Sequence, residues 1–335
     1  MHSFAFGSTL ALALGAVCLG ADSGANQYVV DHPGTASMIV ETSETPRFGL
    51  KPAEASAFHG NLARLRDLLL AQPAFHPARG VEVKGYIRPD AGAPVVKTAP
   101  VPGYGYATDY PFVLISKTKQ VVRMGASPWE IEIFFNAPGR GLSAPNLRDP
   151  AGQLKLLFEP KPAGQLHGFP VYRDGDNNEF IVLSSTGKPA WIPVTREEYV
   201  RLWIRIIEKD LAADGGAELT KQRLQHHQDA LARMSPEERA AQAQSGGSED
   251  YLGPSLAPFG SKGIGDAYVK ANPDWFDPSR PRSDLQLIVM RFNWRGDLNP
   301  DRPAILEYGN AVGLRLWETL HTSDWKAVSA ALAAK

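Results

Sequence analysis

The heptapeptide Trp129-Glu130-Ile131-Glu132-Ile133-Phe134-Phe135 is the stretch that decides the fold of this chain. Apolar residues at the odd positions alternate with Glu130 and Glu132, and a period of two is typical of a β-strand with one buried and one polar face. Antiparallel sheets often expose one face to water in this way. The heptapeptide therefore predicts a strand of an antiparallel sheet.

Similar short apolar runs lie on both sides of the heptapeptide. Gly, Pro, Asn and Asp separate these runs, as expected for strands that are joined by turns. The further predicted strands are 81–87, 112–116, 120–124, 154–158, 169–172, 179–183, 190–194 and 284–292. Because successive strands follow one another through tight turns, we expect mainly antiparallel pairing.

Helices are predicted before and after this strand-rich region. The first covers 53–72, where apolar residues recur at helical spacing. Thr195-Arg196-Glu197-Glu198 has the form of a capping box and predicts a helix over 196–213. The stretch 217–244 is helical in pattern but very polar, so we expect a surface excursion that fades into a flexible linker by residue 248. The fold class is therefore α+β, with a mainly antiparallel sheet packed against helices.

The first 21 residues have the composition of a secretory leader. No Lys, Arg, Asp or Glu occurs from Phe4 to Ala21, and Leu19-Gly20-Ala21 offers small residues for cleavage. A cleaved signal peptide over 1–21 would be followed by an irregular lead-in over 22–50, in which 37–40 could form a short strand, and by one α+β domain over 51–335. Such a leader would place the protein in the periplasm or outside the cell. A retained anchor, or a lipoprotein formed through Cys18, is the alternative.

The composition excludes some partners and one means of stabilisation. Cys18 is the only cysteine, so a mature chain without the leader would contain no disulfide. Lys and Arg total 35 and Asp and Glu total 36, which gives nucleic acid or an anionic membrane no electrostatic attraction to the chain. We expect a small molecule, a glycan or a peptide as the partner.

A glycine-rich segment, Phe259-Gly260-Ser261-Lys262-Gly263-Ile264-Gly265, resembles the phosphate-binding turn of the short-chain dehydrogenases. Phe259, however, stands where that family has its first glycine, and no apolar strand precedes the segment. The segment also lies too late in the chain for the βαβ repeats of a nucleotide-binding fold. We interpret it as a loop and expect no cofactor.

Carboxylates provide the candidates for catalysis. Glu130 and Glu132 should project from one face of a strand with side chains that start ~7 Å apart, which is near the separation found in inverting glycosidases. A hydrolase could assemble its site from these two residues together with Asp109 and Asp174. An ordinary solvated sheet face is the more common reason for two glutamates in this pattern. His167, beside a glycine between two strands, is the histidine to test as a catalytic base.

Oxygen-bearing side chains also alternate in Asp174-Gly175-Asp176-Asn177-Asn178. Asp174, Asp176 and Asn178 could ligate Ca²⁺, although the glycine and glutamate of an EF-hand loop are missing at their places. The alternative is a turn between the strands 169–172 and 179–183.

The region 103–110 contains the aromatic residues that are most functional in character. Tyr104, Tyr106 and Tyr110 alternate with Gly and other residues, which we interpret as a glycine-flexible loop that displays three rings. Trp275 and Trp294 could line the same cleft. The sequence thus favours a non-catalytic exported protein that binds a ligand or the cell envelope through this aromatic loop, with an exported hydrolase as the alternative. Packing of these rings inside a loop-rich fold would explain them without any ligand.

Overall fold

The structure is a computed structural model, which describes residues 27–90, 92, 98–127, 130–145, 147–152, 154–175, 178–246, 255–261, 265–293 and 311–333. The predicted leader lies outside these residues. The predicted fold class is confirmed, since a large and mostly antiparallel sheet packs against helices. Among the described helices, none has both the length and the apolar character needed to cross a membrane.

Thirteen strands are defined within the described residues. They are β1 (Gln27–Tyr28), β2 (Ala36–Val40), β3 (Val81–Pro89), β4 (Gly103–Ile115), β5 (Gln120–Arg123), β6 (Glu130–Phe135), β7 (Leu157–Phe158), β8 (Lys161–Leu166), β9 (Phe169–Arg173), β10 (Glu179–Ser184), β11 (Trp191–Pro193), β12 (Tyr268–Ala271) and β13 (Leu287–Asn293). Ten of them form one sheet in the order β2-β3-β4-β6-β13-β10-β9-β8, with β1 and β5 attached to β4. Only β2 and β3 pair in parallel among these described strands.

The helices of the described residues are α1 (Pro52–Leu70), α2 (Arg196–Ala213), α3 (Glu218–Arg233), α4 (Pro236–Ala240), α5 (Ala311–Thr322) and α6 (Trp325–Ser329). Helices α1, α5 and α6 cover one face of the large sheet and form the main core with it. From β6, the core receives Ile131, Ile133 and Phe135, the odd positions that the alternation predicted to be buried. We call this face of the large sheet the core face, and the opposite face the second face.

The second face of the large sheet is covered only in part. A three-stranded sheet, β11-β12-β7, packs over it through a smaller cluster that includes Phe134, Phe180, Val289 and Trp275. Helix α2 packs on the outer side of this small sheet, where Tyr199 stacks on Tyr268 with ring centroids 5.2 Å apart. Beyond the small sheet, the second face of β3, β4 and the first half of β6 carries half-buried and exposed polar and aromatic side chains.

The interpretation of 103–110 as a loop was wrong, because these residues form the first part of β4. The Gly-Tyr alternation is a strand pattern in which the glycines face the crowded core. A Cβ on Gly103 would lie 1.7 Å from the ring of Phe135, so this position leaves no room for a side chain. The tyrosines consequently lie on the second face.

The helix starts agree with the sequence, whereas three strands were not predicted. Thr195 Oγ1 accepts a hydrogen bond from the backbone N–H of Glu198, as the capping box predicted, and the helix it begins has the predicted bounds. The unpredicted strands are β1, β8 and β12, whose residues lack a clear apolar pattern. The predicted flexible linker was wrong for residues 244–246, because Gln244 and Ser245 form β-bridges with Ala267 and Leu256.

The polar stretch 217–244 lies on the surface, and it is packed there. Helix α3 lies against α2, with His227 almost fully buried beside Trp203. The N-terminus of α4 is capped by Ser235, whose Oγ accepts from the backbone N–H of Glu238.

Candidate functional site

The strand register brings aromatic and charged residues together on the second face. Tyr104 and Tyr106 of β4 lie opposite Phe134 and Glu132 of β6, and Glu132 lies opposite Arg291 of β13. All of these side chains lie beyond the cover of the small sheet or at its margin. The second face therefore changes within a few ångströms from an apolar cluster to a polar surface.

A cavity of about 460 Å³ lies at this boundary. Both signs of charge, two aromatic rings and a loop after β6 form its lining. The lining residues are Asp90, Tyr104, Glu132, Phe134, Arg140, Gly141, Leu142, Ser143 and Arg291. The volume falls in the range of sites for small ligands.

Arg291 forms the charged floor of the cavity. Its Nη1 donates to Glu132 Oε2 at 2.8 Å, and its Nη2 donates to Asp174 Oδ2 at 3.1 Å. These contacts raise the pKa of Arg291 further, although burial acts in the opposite direction as the largest single influence. The guanidinium also lies 5.8 Å from the centroid of the Phe180 ring, which places it over the end of the apolar cluster. Arg291 thus fixes both carboxylates relative to the sheet.

A second ion pair borders the cavity on its loop side. Arg140, in the loop that follows β6, contacts Asp90 at 2.6 Å just after the end of β3. The next residue, Gly141, has φ +80° and would bring a Cβ within 2.6 Å of the Phe134 ring, so glycine is needed both for the backbone and for the close approach. The loop is thereby held against the aromatic floor.

An aromatic row extends from the cavity across β4 and β3. We define it as Phe134, Tyr104, Tyr86 and Tyr106. The Phe134 and Tyr104 ring centroids lie 5.4 Å apart. Tyr86 and Tyr106 lie side by side with centroids 4.4 Å apart, at 6.1 Å and 6.4 Å from Tyr104. Burial raises the pKa of Tyr104 and of Tyr86, so both hydroxyls remain protonated donors at neutral pH. Arg88 lies 4.7 Å from the Tyr86 centroid at the outer side of the row.

The carboxylates that the hydrolase hypothesis brought together separate into two groups. Glu132 and Asp174 lie within about 8 Å of each other, since both contact the planar guanidinium of Arg291. Glu130 projects from the same face, one register step along β6 at the level of Thr108. Asp109 was wrongly grouped with them, because it is fully buried on the core face and contacts Arg315 of α5 there.

The proposed calcium ligands form a turn with its own contacts. Asp174 accepts hydrogen bonds from the backbone and the side chain of Asn178 in addition to the one from Arg291. A guanidinium thus occupies the position that a cation would take. Asp176 lies outside the described residues. Among those that are described, no group of three His, Cys, Asp or Glu residues is arranged to hold a metal.

The other candidates lie apart from the cavity. His167 is exposed in the two-residue turn between β8 and β9, where its φ of +53° and the positive φ of Gly168 close a tight hairpin. Trp275 belongs to the buried cluster beneath the small sheet and is only 6% exposed. Tyr110 lies further along β4, between Lys84 and Arg123. Trp294 lies outside the described residues.

Several cavity residues were missed by the sequence analysis. Arg291 is a charged residue within the apolar run of strand β13, at a position on the second face. A charge within an apolar run is a sequence signal that could have identified this residue. Tyr86 of β3 also lies at a second-face position, and the alternation of residues along that strand could have identified it. Asp90 and Arg140 lie in loops and carried no such signal.

No protein-family model, curated protein or solved structure matches this chain.

Proposed function

We propose that this chain is an exported binding protein whose ligand occupies the cavity between Tyr104 and Arg291. The observation that carries the proposal is the composition of the lining, in which aromatic faces stand beside paired charges at the open margin of a sheet. Binding sites generally combine an apolar or aromatic surface with a few fixed polar groups that orient the ligand. Here the two ion pairs supply the fixed polar groups.

Export is part of the same proposal and is supported by the apolar, uncharged sequence before residue 22. A ligand from outside the cytoplasm would then meet the open part of the second face. Recovery of a secreted or periplasmic form that begins near Asp22, identified by N-terminal sequencing, would agree with this. A cytoplasmic form that begins at Met1 would contradict it.

A hydrolase is the second candidate, and one observation favours it. Because Glu132 and Asp174 both contact Arg291, their contacting oxygens lie no more than about 8 Å apart, and this limit admits the carboxyl separations of both retaining and inverting glycosidases. Arg291 lies between them, however, and engages one oxygen of each. The space that a substrate bond and a water would need is thus occupied by a guanidinium, and this arrangement favours binding over catalysis.

A thermal-shift screen of the purified mature chain tests the binding function. Compounds that bind the native state raise the melting temperature, and a ligand at 100 times its Kd adds about 2.7 kcal/mol to the free energy of unfolding. We expect such shifts for the wild type and much smaller shifts for Tyr104→Ala and Glu132→Gln. Tyr110→Ala is the matched control, because it removes a half-buried tyrosine from the same strand and face but outside the cavity.

Because the comparison uses the shift that ligand causes and not the melting temperature itself, any loss of stability in a variant does not affect it. Shifts that are the same in all three variants would place the ligand elsewhere and refute the proposed site.

A further inference from the structure

We propose that the ligand is an unbranched, uncharged oligosaccharide whose chain leaves the cavity along the aromatic row. This inference rests on the proposed function and adds a ligand class and a direction of binding. Three features of the described residues support it: the charge balance of the lining, the arrangement of the rings and the pairing of the strands beneath them.

The charged side chains of the cavity lining are all paired. Asp90 pairs with Arg140, and Glu132 pairs with Arg291, which also contacts Asp174 behind the lining. A charged ligand would gain little net Coulomb energy there and would have to compete with an existing pair. A ligand rich in hydroxyl groups can instead use the remaining carboxylate lone pairs and guanidinium N–H groups without separating the pairs.

The rings form a path that is longer than the cavity. Tyr104 lines the cavity, whereas Tyr86 and Tyr106 continue outward over β3 and β4. The steps along the row are 5.4 Å from Phe134 to Tyr104 and 6.1–6.4 Å from Tyr104 to the outer pair of Tyr86 and Tyr106, and they are comparable to the length of one sugar ring in a chain. A tyrosine offers both an apolar face for the C–H groups of a sugar and a hydroxyl for hydrogen bonds. Tyr104 is therefore suited to one sugar unit, and Tyr86 and Tyr106, which pack edge to face, are together suited to the next.

The pairing of the strands disfavours an extended peptide as the occupant. Peptides that bind to sheets usually add a strand to a free edge and gain main-chain hydrogen bonds there. Strands β3, β4 and β6 are each paired on both sides, so the floor of the row offers no free backbone edge. A chain on this surface must be held by side chains, which is how sugars and rings interact.

Isothermal titration calorimetry with defined sugars tests the inference. The probes are oligomers of one to six units of β-1,4-linked N-acetylglucosamine, β-1,4-linked glucose and α-1,4-linked glucose, and a mixture of unstructured peptides serves for comparison. We expect one of the three series to bind, with an affinity that increases by about fivefold for each added unit that gains a ring. The increase should stop once the row is filled.

Tyr106 is the residue that separates the outer row from the cavity. We expect Tyr106→Ala to reduce the gain from longer chains, because only Tyr86 then remains in the outer part of the row, while the affinity for the shortest binding oligomer is retained. Tyr106→Leu, which keeps apolar volume, should show the same loss if the alanine variant does not fold. Tyr110→Ala should behave like the wild type at every length.

The possible outcomes separate the inference from the proposed function. Affinity that is independent of chain length, or binding of the peptides but not of the sugars, would overturn the inference and leave the binding function standing. The same conclusion holds if the thermal-shift screen finds a different ligand that Tyr104→Ala weakens. Absence of any ligand in both experiments would overturn both.

Discussion

The buried ion pair between Asp109 and Arg315 gives the sharpest test of how this fold is held together. Asp109 lies on the core face of β4 and Arg315 lies on α5, and their side chains are 0% and 2% exposed. Two close contacts of 2.6 Å join the carboxylate to the guanidinium, which also lies 5.1 Å from the Phe75 ring. We expect Asp109→Asn to remove the charge partner of a cation that cannot reach water.

The magnitude follows from this burial. Breaking one partner of a buried ion pair destabilises a protein by about 3–5 kcal/mol, because an uncompensated charge remains inside. Replacing both partners by apolar residues removes that penalty. We therefore expect Asp109→Asn, Asp109→Leu and Arg315→Met each to lower the free energy of unfolding by several kcal/mol, and the double variant Asp109→Leu/Arg315→Met to be more stable than either of its two single variants.

Urea denaturation at pH 7, followed by tryptophan fluorescence and circular dichroism, measures these free energies. A loss of less than about 1 kcal/mol in both single variants would refute the reasoning, since this is the value expected of an exposed pair. Additive losses in the double variant would also refute it, because they would mean that the two side chains do not interact.

Two further predictions concern backbone and loop contacts. Gly103→Ala should destabilise the protein by about 1–3 kcal/mol, because its Cβ would overlap the buried Phe135 ring. Gly125→Ala is the control, since its added Cβ would lie in open space. Equal melting temperatures of the two variants would show that the Phe135 ring has room to move and would contradict the prediction. Asp149→Asn should weaken the contact of its loop with Arg205 of α2, which donates two hydrogen bonds to the carboxylate and lowers the pKa of Asp149. Because that pKa is depressed, the contribution is present above pH 3.8 and is lost as the pH falls below it, so the stabilities of wild type and Asp149→Asn, measured by urea denaturation, should converge in acid. A difference in the free energy of unfolding between wild type and Asp149→Asn that increases in acid would rule this explanation out.

Local sequence patterns determined most of the secondary structure. The alternation in 129–135 gave the strand, its buried face and its polar face, because side chains in a strand point to opposite sides in turn. The capping box at Thr195 gave the start of α2, because its hydrogen bonds join residues only three positions apart. The Gly-Tyr alternation of 103–106 carries the same kind of signal, and it was misinterpreted because glycine also permits loops. Only the packed Phe135 ring shows why glycine is present there.

The tertiary structure decided which of these residues meet. Arg291 contacts Glu132 and Asp174 across separations of 159 and 117 residues, and Asp109 contacts Arg315 across 206. No local pattern encodes such contacts, since they depend on the order of the strands in the sheet. The sequence by itself determined that β6 has a polar face, whereas the polar face of β4 was recognised only in the structure. The cavity exists because the small sheet covers one part of that face and leaves the rest open.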